Sequence, residues 1–291
     1  MSDTFDLVIR NGQVATPGGL IQTDIGVSAG RIAALGPIAA AQAGETLDAA
    51  GLHVLPGVID AHVHFREPGL THKEDFETGS RAAVLGGVTT VFEMPNSDPV
   101  TTTAERLLDK LVRAKGRMAC DYAFYIGGSA ENAGMLGDLE RLPGCAGVKI
   151  FMGASTGSLL LADEEGLTRA LRSGRRRISF HAEDEERLQA RKALAMPGRP
   201  ETHPVWRDAA CALLAGERLM RLARAAGRQV HVLHATTAEE MALYALHRDI
   251  ATVEVTVNHL TMTAPDCYER LGAYAQMNPP VRDATHRAAL W

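Results

Sequence analysis

GVIDAHVHFREPG, residues 57–69, runs from an apolar segment into two histidines, an arginine and a Pro-Gly turn. His62 and His64 stand at i and i+2, so on an extended chain both side chains point to one face. Two imidazoles on one side suit a single divalent ion such as Zn2+. One core histidine beside one surface histidine would give the same spelling. What separates the two readings is whether other strands end in the same way.

Six further apolar runs follow: VTTVFEM (88–94), DYAFYI (121–126), GVKIF (147–151), RISFH (177–181), QVHVLH (229–234) and ATVEVT (251–256). Helical patterns such as FETGSRAAVLG, TAERLLDKLVRAKG and VWRDAACALLAGERLMRLARAAG separate them, several closed by a capping glycine. Alternating strands and helices imply a parallel sheet covered by helices. Polar residues collect where the strands end. His62 and His64 end the first, Asn96 follows the second, Lys149 lies late in the fourth, His181 and His234 close the fifth and sixth, and His259 follows the seventh. A barrel gathers its chemistry at the C-terminal ends of many strands, whereas a doubly wound open sheet gathers it at a switch point. Residues 56–291 therefore read as a (β/α)8 TIM-type barrel whose eighth strand lies outside this chain.

Residues 1–55 have a different texture. FDLVIRNGQVAT, TDIGVSAGRIAALG and AAGLHVLPG are short apolar runs punctuated by Asn-Gly, Ala-Gly and Pro-Gly. These hairpin and turn signals predict a small antiparallel, sandwich-like β domain, the N-terminal half of a composite one.

Composition bounds the function classes. With 46% hydrophobic and 22% charged residues the chain reads as an ordinary soluble protein. A formal net charge of -5 gives no reason to expect a nucleic acid or an anionic membrane as partner. No apolar run approaches the roughly 20 residues that cross a bilayer. The start, MSDTFDLVIRNG, lacks a basic region followed by an apolar core, and Cys120, Cys145, Cys211 and Cys267 form no CxxC pair. Reduced thiols and a cytoplasmic location are the expectation.

Single residues add detail. Lys149 shares strand parity with Gly147 and Phe151, so a barrel-facing side chain there buries an ammonium at large desolvation cost. An ion pair, a neutral amine or a covalent modification would each relieve it; a neutral amine can take up CO2 as a carbamate, an anionic two-oxygen ligand. Arg66, two residues past His64 with the same parity, suits bidentate capture of a carboxylate. Asn96 in MPNSDP and Asn278 in MNPPVR could orient a ring amide or carboxylate, or simply form turns. His231 has the opposite parity to His234 and is expected to face the helices. His53, His72, His203, His247 and His286, the glycine-rich GGSAENAG and GASTGS, and the basic RSGRRR read as structural or solvated.

DAHVHFREPG, followed by HKEDFETGSRAAVLGGVTTVFEMPNSDPV and then GVKIFMG, FHAED, VLHATT and MNPPVR in order, resembles the dihydroorotases of the cyclic amidohydrolase superfamily over essentially the whole chain. The resemblance implies one zinc on His62 and His64 and a second on His181 and His234, the two bridged by carbamylated Lys149. It implies that Arg66 and Asn96 hold the dihydroorotate carboxylate, that Asn278 contacts the ring, and that His259 lines the pocket. VTVNHL, around His259, departs from the more usual VTPHHL of the family. Allantoinases typically carry Asn where Arg66 stands, and dihydropyrimidinases lack the HFREPG run. The implied reaction interconverts dihydroorotate and N-carbamoyl-L-aspartate in pyrimidine biosynthesis, through a zinc-activated hydroxide, with an aspartate after the eighth strand as proton shuttle. That aspartate would lie beyond Trp291. The expectation is that these residues belong to a longer polypeptide and alone are poorly stable and nearly inactive. Two alternatives stay open: another cyclic amidase such as a hydantoinase or allantoinase, and a non-catalytic scaffold for a partner such as aspartate transcarbamoylase. A homo-oligomer is likewise left open.

Overall fold

A computed structural model describes residues 4–39 and 42–291. The chain divides into two compact units, Met1–Val58 and Ile59–Trp291.

The first unit is one mixed sheet of β1 (Phe5–Thr16), β2 (Gly19–Ser28), β3 (Arg31–Leu35), β4 (Ala43–Asp48) and β5 (His53–Val54). Its order is β3-β2-β1-β4, with β5 also on β1. The expectation of a wholly antiparallel unit needs correcting, because β4 and β5 both pair parallel to β1. A parallel neighbour arrives by a crossover, which leaves no dipeptide signature in the sequence. Asn11-Gly12 is not a hairpin turn either. It is an irregularity inside β1, where the register with β2 shifts between Ile9 and Gly12 and Asn11 takes φ 61. A Cβ on Gly12 would lie 2.6 Å from Val54 Cγ2, so the spelling serves a bulge and a close approach of β5.

The second unit contains all but the first residue of β6 (Val58–Val63), and β7 (Val88–Glu93), β8 (Asp121–Gly127), β9 (Cys145–Phe151), β10 (Ile178–His181), β11 (Val230–Val232) and β12 (Ala251–Val253). They form one seven-stranded sheet in the order β12-β11-β10-β9-β8-β7-β6. From β7 to β12 each strand pairs parallel to its neighbours. Helices connect the strands, each stopped by ordinary chemistry. Asp208 caps the helix Ala209–Ala226 and Gly227 ends it at φ 64. Val91, Ile126, Val148, Ile150, Ile178, Phe180, Val230 and Val232 are fully buried in one core cluster that also holds residues from these helices. Apolar side chains on that face leave the alternate positions of the strands for the concave side. Among the described residues no helix is long and apolar enough to cross a membrane.

Candidate metal centre

The concave side is built in rows. Strand register places Lys149 beside Ser179, Ser179 beside His231, and His231 beside Thr252. Two residues further on, Phe151 stands beside His181, their rings 5.5 Å apart. Lys149, Phe151, His181 and His231, together with His62, His64 and His234, line a cavity of about 1040 Å³. The rings of His62 and His64 are 5.3 Å apart, those of His62 and His234 5.4 Å, and those of His181 and His234 4.8 Å.

Hydrogen bonds fix the tautomers. His62 Nδ1 lies 2.6 Å from Glu254 Oε1, so it is the protonated nitrogen and Nε2 keeps a lone pair. His181 Nε2 donates to Glu183 Oε2 at 2.8 Å, and its Nδ1 lies 3.1 Å from His234 Nε2. His181 Nδ1 then accepts from His234, which leaves His234 Nδ1 as a buried lone pair with no partner. Burial holds all four imidazoles below their ordinary pKa, and the nearby Lys149 charge lowers each one further. For His181 the result is about 4. They are neutral nitrogen donors at pH 7.

Lys149 is 1% exposed, and its Nζ has no hydrogen-bond partner; its neighbour is the Phe151 ring, 4.4 Å to the centroid. Burial pulls its pKa down to about 7, which brings the neutral amine within reach near neutral pH. Among the described residues no three His, Cys, Asp or Glu side chains converge to hold an ion by themselves. The donors come instead as two histidine pairs with Lys149 in electrostatic reach of both. An orphaned amine, an orphaned imidazole lone pair and a neutral nitrogen donor set fit a divalent, nitrogen-preferring ion at each pair, provided Lys149 is neutral or converted to an anion.

The cavity wall carries the other expected groups. Arg66 lines it, but not by strand parity: β6 ends at Val63, and Arg66 reaches inward from a left-handed conformation, φ 60. Its Nη1 is buried without a partner. The turn that follows is stitched to the loop after β7, since Asp98 N donates to Pro68 O at 3.0 Å. Asn96 commits one amide hydrogen to Thr156 O at 3.1 Å, and its Oδ1 is buried and unpartnered. Asn278 donates to Ser155 Oγ at 3.3 Å and accepts at 3.0 Å from His203 Nε2, which also donates to Met277 O.

Three expectations need revision. His231 faces the cavity rather than the helices, in the same row as Lys149. The parity count from His234 fails because β11 stops at Val232 and His234 takes φ 42. His259 does not line the cavity. Its Nε2 donates to Pro279 O at 3.1 Å and its Nδ1 lies 2.8 Å from Thr256 Oγ1, so it braces the loop that carries Asn278. His203, read as structural, lines the cavity and fixes the Asn278 amide.

Sequence reasoning also missed two carboxylates. Glu254 joins His62 to His231, whose Nε2 is 3.4 Å from Oε2. Burial would raise its pKa, but the two histidine hydrogen bonds bring it to about 2. Glu183 is wholly buried between His181 and Arg207, whose Nε lies 3.1 Å from both carboxylate oxygens. The signals were present, a glutamate inside the apolar ATVEVT run and another two residues past His181 in FHAED.

Comparison with known proteins agrees with this architecture. The Amidohydrolase family model matches residues 53–282. An allantoinase of Rubrobacter xylanophilus is 38% identical over 99% of this chain and 65% of its own length. A dihydroorotase of Methanosarcina mazei is 34% identical over 98% of this chain and 65% of its own. The L-hydantoinase of Arthrobacter aurescens superposes with a TM-score of 0.89 at 30% identity, over 99% of this chain and 66% of that one. The chain thus spans slightly under two thirds of the length of these relatives, and its curled seven-stranded parallel sheet with a separate N-terminal sheet domain is their fold. The chain belongs to the amidohydrolase family.

Proposed function

We propose that the protein is a zinc-dependent cyclic amide hydrolase acting on dihydroorotate, which it interconverts with N-carbamoyl-L-aspartate. The observation that carries the substrate assignment is Arg66. Its Nη1 is buried without a partner in the same cavity as the four histidines and Lys149, and a buried guanidinium N–H needs an acceptor. A carboxylate on the substrate ring supplies one.

In this reading His62 with His64, and His181 with His234, would hold the ions, and Lys149 as a carbamate would lie between them. When bound, such ions bring the pKa of water towards neutrality and draw electron density from an amide carbonyl. The protein's own side chains do the rest. Arg66 grips the carboxylate, helped by the second amide hydrogen of Asn96. Asn278, its oxygen occupied by His203, presents N–H to a ring carbonyl. Hydrolysis breaks the ring C–N bond, adds hydroxyl to the carbonyl carbon and a proton to the nitrogen; closure runs the same steps backwards with release of water.

Allantoin hydrolysis is the second reading, favoured by the 38% identity to a protein named allantoinase. Allantoin carries a ureido group and no carboxylate, so it leaves Arg66 unanswered. Dihydroorotate, allantoin and hydantoin assayed side by side separate the readings. Dihydroorotate is expected to be preferred, and Arg66→Ala should lose this substrate selectively. Turnover of allantoin with none of dihydroorotate, or an equal loss on neutral rings in the variant, overturns the assignment.

A further inference from the structure

Behind His181 lies a buried polar network of Glu183, Arg207, Arg282, Thr236 and Glu240. Arg207 is 2% exposed and grips Glu183 through Nε and Nη2, while Nη2 also donates to Ala154 O at 2.8 Å. Ala154 N in turn donates to Glu185 Oε2 at 2.6 Å, so the start of the loop bearing Ser155 and Thr156 is pinned on both sides of one residue. Arg282, also buried, donates to the Arg207 carbonyl and, through Nε, to Thr236 Oγ1 at 3.2 Å. Glu240 closes the far end by accepting from Thr236 N at 3.0 Å. A network this buried and this fully bonded holds its members in one arrangement.

We infer that Glu183, locked by Arg207, is a positioning residue that fixes His181 as the Nε2–H tautomer and so turns the His181 Nδ1 lone pair towards the second ion. The inference rests on the proposed metal ligands, not on which ring is hydrolysed. The logic is donor and acceptor count. Arg207 has donors only, so the groups facing it must accept. Ionised Glu183 is acceptor-only, so its Oε2 accepts from Arg207 Nε and Nη2 and can meet His181 Nε2 only if that nitrogen carries the proton. With Nε2 protonated, neutral His181 has its lone pair on Nδ1, the nitrogen 3.1 Å from His234. A carboxylate behind a metal-binding imidazole orients the ring and raises its basicity.

Glu183→Met tests this because it keeps the side-chain length and removes the acceptor. His181 Nε2–H then has no carboxylate to meet. Nothing holds the proton on Nε2, and the fixed lone pair on Nδ1 is lost. Long-range 1H–15N spectra of the histidine-labelled, metal-free protein report the tautomer directly. The wild-type protein should show His181 as Nε2–H alone, and Glu183→Met should show Nδ1–H populated as well. Zinc affinity, measured by competition with a chromophoric chelator, should fall roughly 10- to 100-fold in the variant, while its unfolding remains cooperative. Nδ1–H at His181 in the wild-type protein overturns the inference, and so does a folded variant that binds zinc as tightly as wild type. If the variant does not fold, the wild-type spectrum alone decides, and it does so whatever substrate the enzyme proves to take.

Discussion

His62 Nδ1 and Glu254 Oε1 are 2.6 Å apart although 192 residues separate them in the chain. His62 belongs to β6 and Glu254 follows β12, the two outermost strands of the seven-stranded sheet. A flat sheet would hold those edges about 29 Å apart, at roughly 4.8 Å per neighbour. One hydrogen bond across them requires the sheet to curl until its rim nearly meets, and the cavity is what the curl encloses.

Lys149→Met should push stability and metal content in opposite directions. The substitution removes a buried ammonium that has no hydrogen-bond partner, so the metal-free protein should gain about 1–3 kcal/mol. It also removes the group proposed to join the two ion sites, so bound zinc should fall from two ions per chain to one or none. Calorimetry and elemental analysis on the same samples check both. A variant that loses stability while keeping two ions contradicts the assignment.

His203→Ala frees the Asn278 oxygen, which now accepts from His203 Nε2 at 3.0 Å. The amide can then turn its acceptor to the cavity. One misdirected hydrogen bond is worth about 1 kcal/mol, so kcat/KM should drop roughly 5- to 10-fold, with most of the loss in KM. Steady-state kinetics show whether kcat carries it instead.

His259 gives a pH signature. Burial, opposed by its hydrogen bond to Pro279, takes its pKa to about 4 from an ordinary 6.5. Between those values the unfolded chain binds a proton that the folded imidazole does not. Its share of stability is therefore intact above pH 6.5 and is lost as pH falls towards 4, on the order of 3 kcal/mol in all. His259→Gln should be less stable than wild type at pH 7, with the gap shrinking as the solution is acidified to pH 4.5. Urea midpoints at the two pH values suffice, and a constant gap argues against this origin.

Gly69→Ala should cost about 3 kcal/mol. Gly69 takes φ +91, and a Cβ there would lie 2.0 Å from the Asp98 carbonyl oxygen. The clash would pry the Arg66 turn from the loop of Asn96, so affinity for a carboxylated substrate should weaken with stability. Thermal unfolding and KM together reveal whether the two effects travel as a pair.

How much of this was legible in the sequence follows from periodicity. The strand–helix alternation, and Lys149 with its inward parity, could be read because β9 is regular through Phe151. His231 was misread because β11 has three residues and the chain leaves extended geometry before His234. Asn11-Gly12 misled because a bulge and a hairpin both call for positive φ, and only the partner strand decides between them. His203 gave no signal in advance, since it opens a one-turn helix, His203–Trp206, too short for a periodic pattern, and meets Asn278 from 75 residues away. Glu183 and Glu254 were visible but unweighted: charges in apolar strand ends ask for partners, and the histidines nearby were the answer.

Arg66 at φ 60 and His234 at φ 42 hold their side chains inward from backbone that L-residues seldom adopt. Each conformation costs on the order of 1 kcal/mol that glycine would not incur. Screening for robust folding alone would therefore reward Arg66→Gly and His234→Gly while erasing chemistry. In a thermostability library these two positions mark where hardiness and competence diverge, and both should be frozen before any consensus or random substitution is attempted.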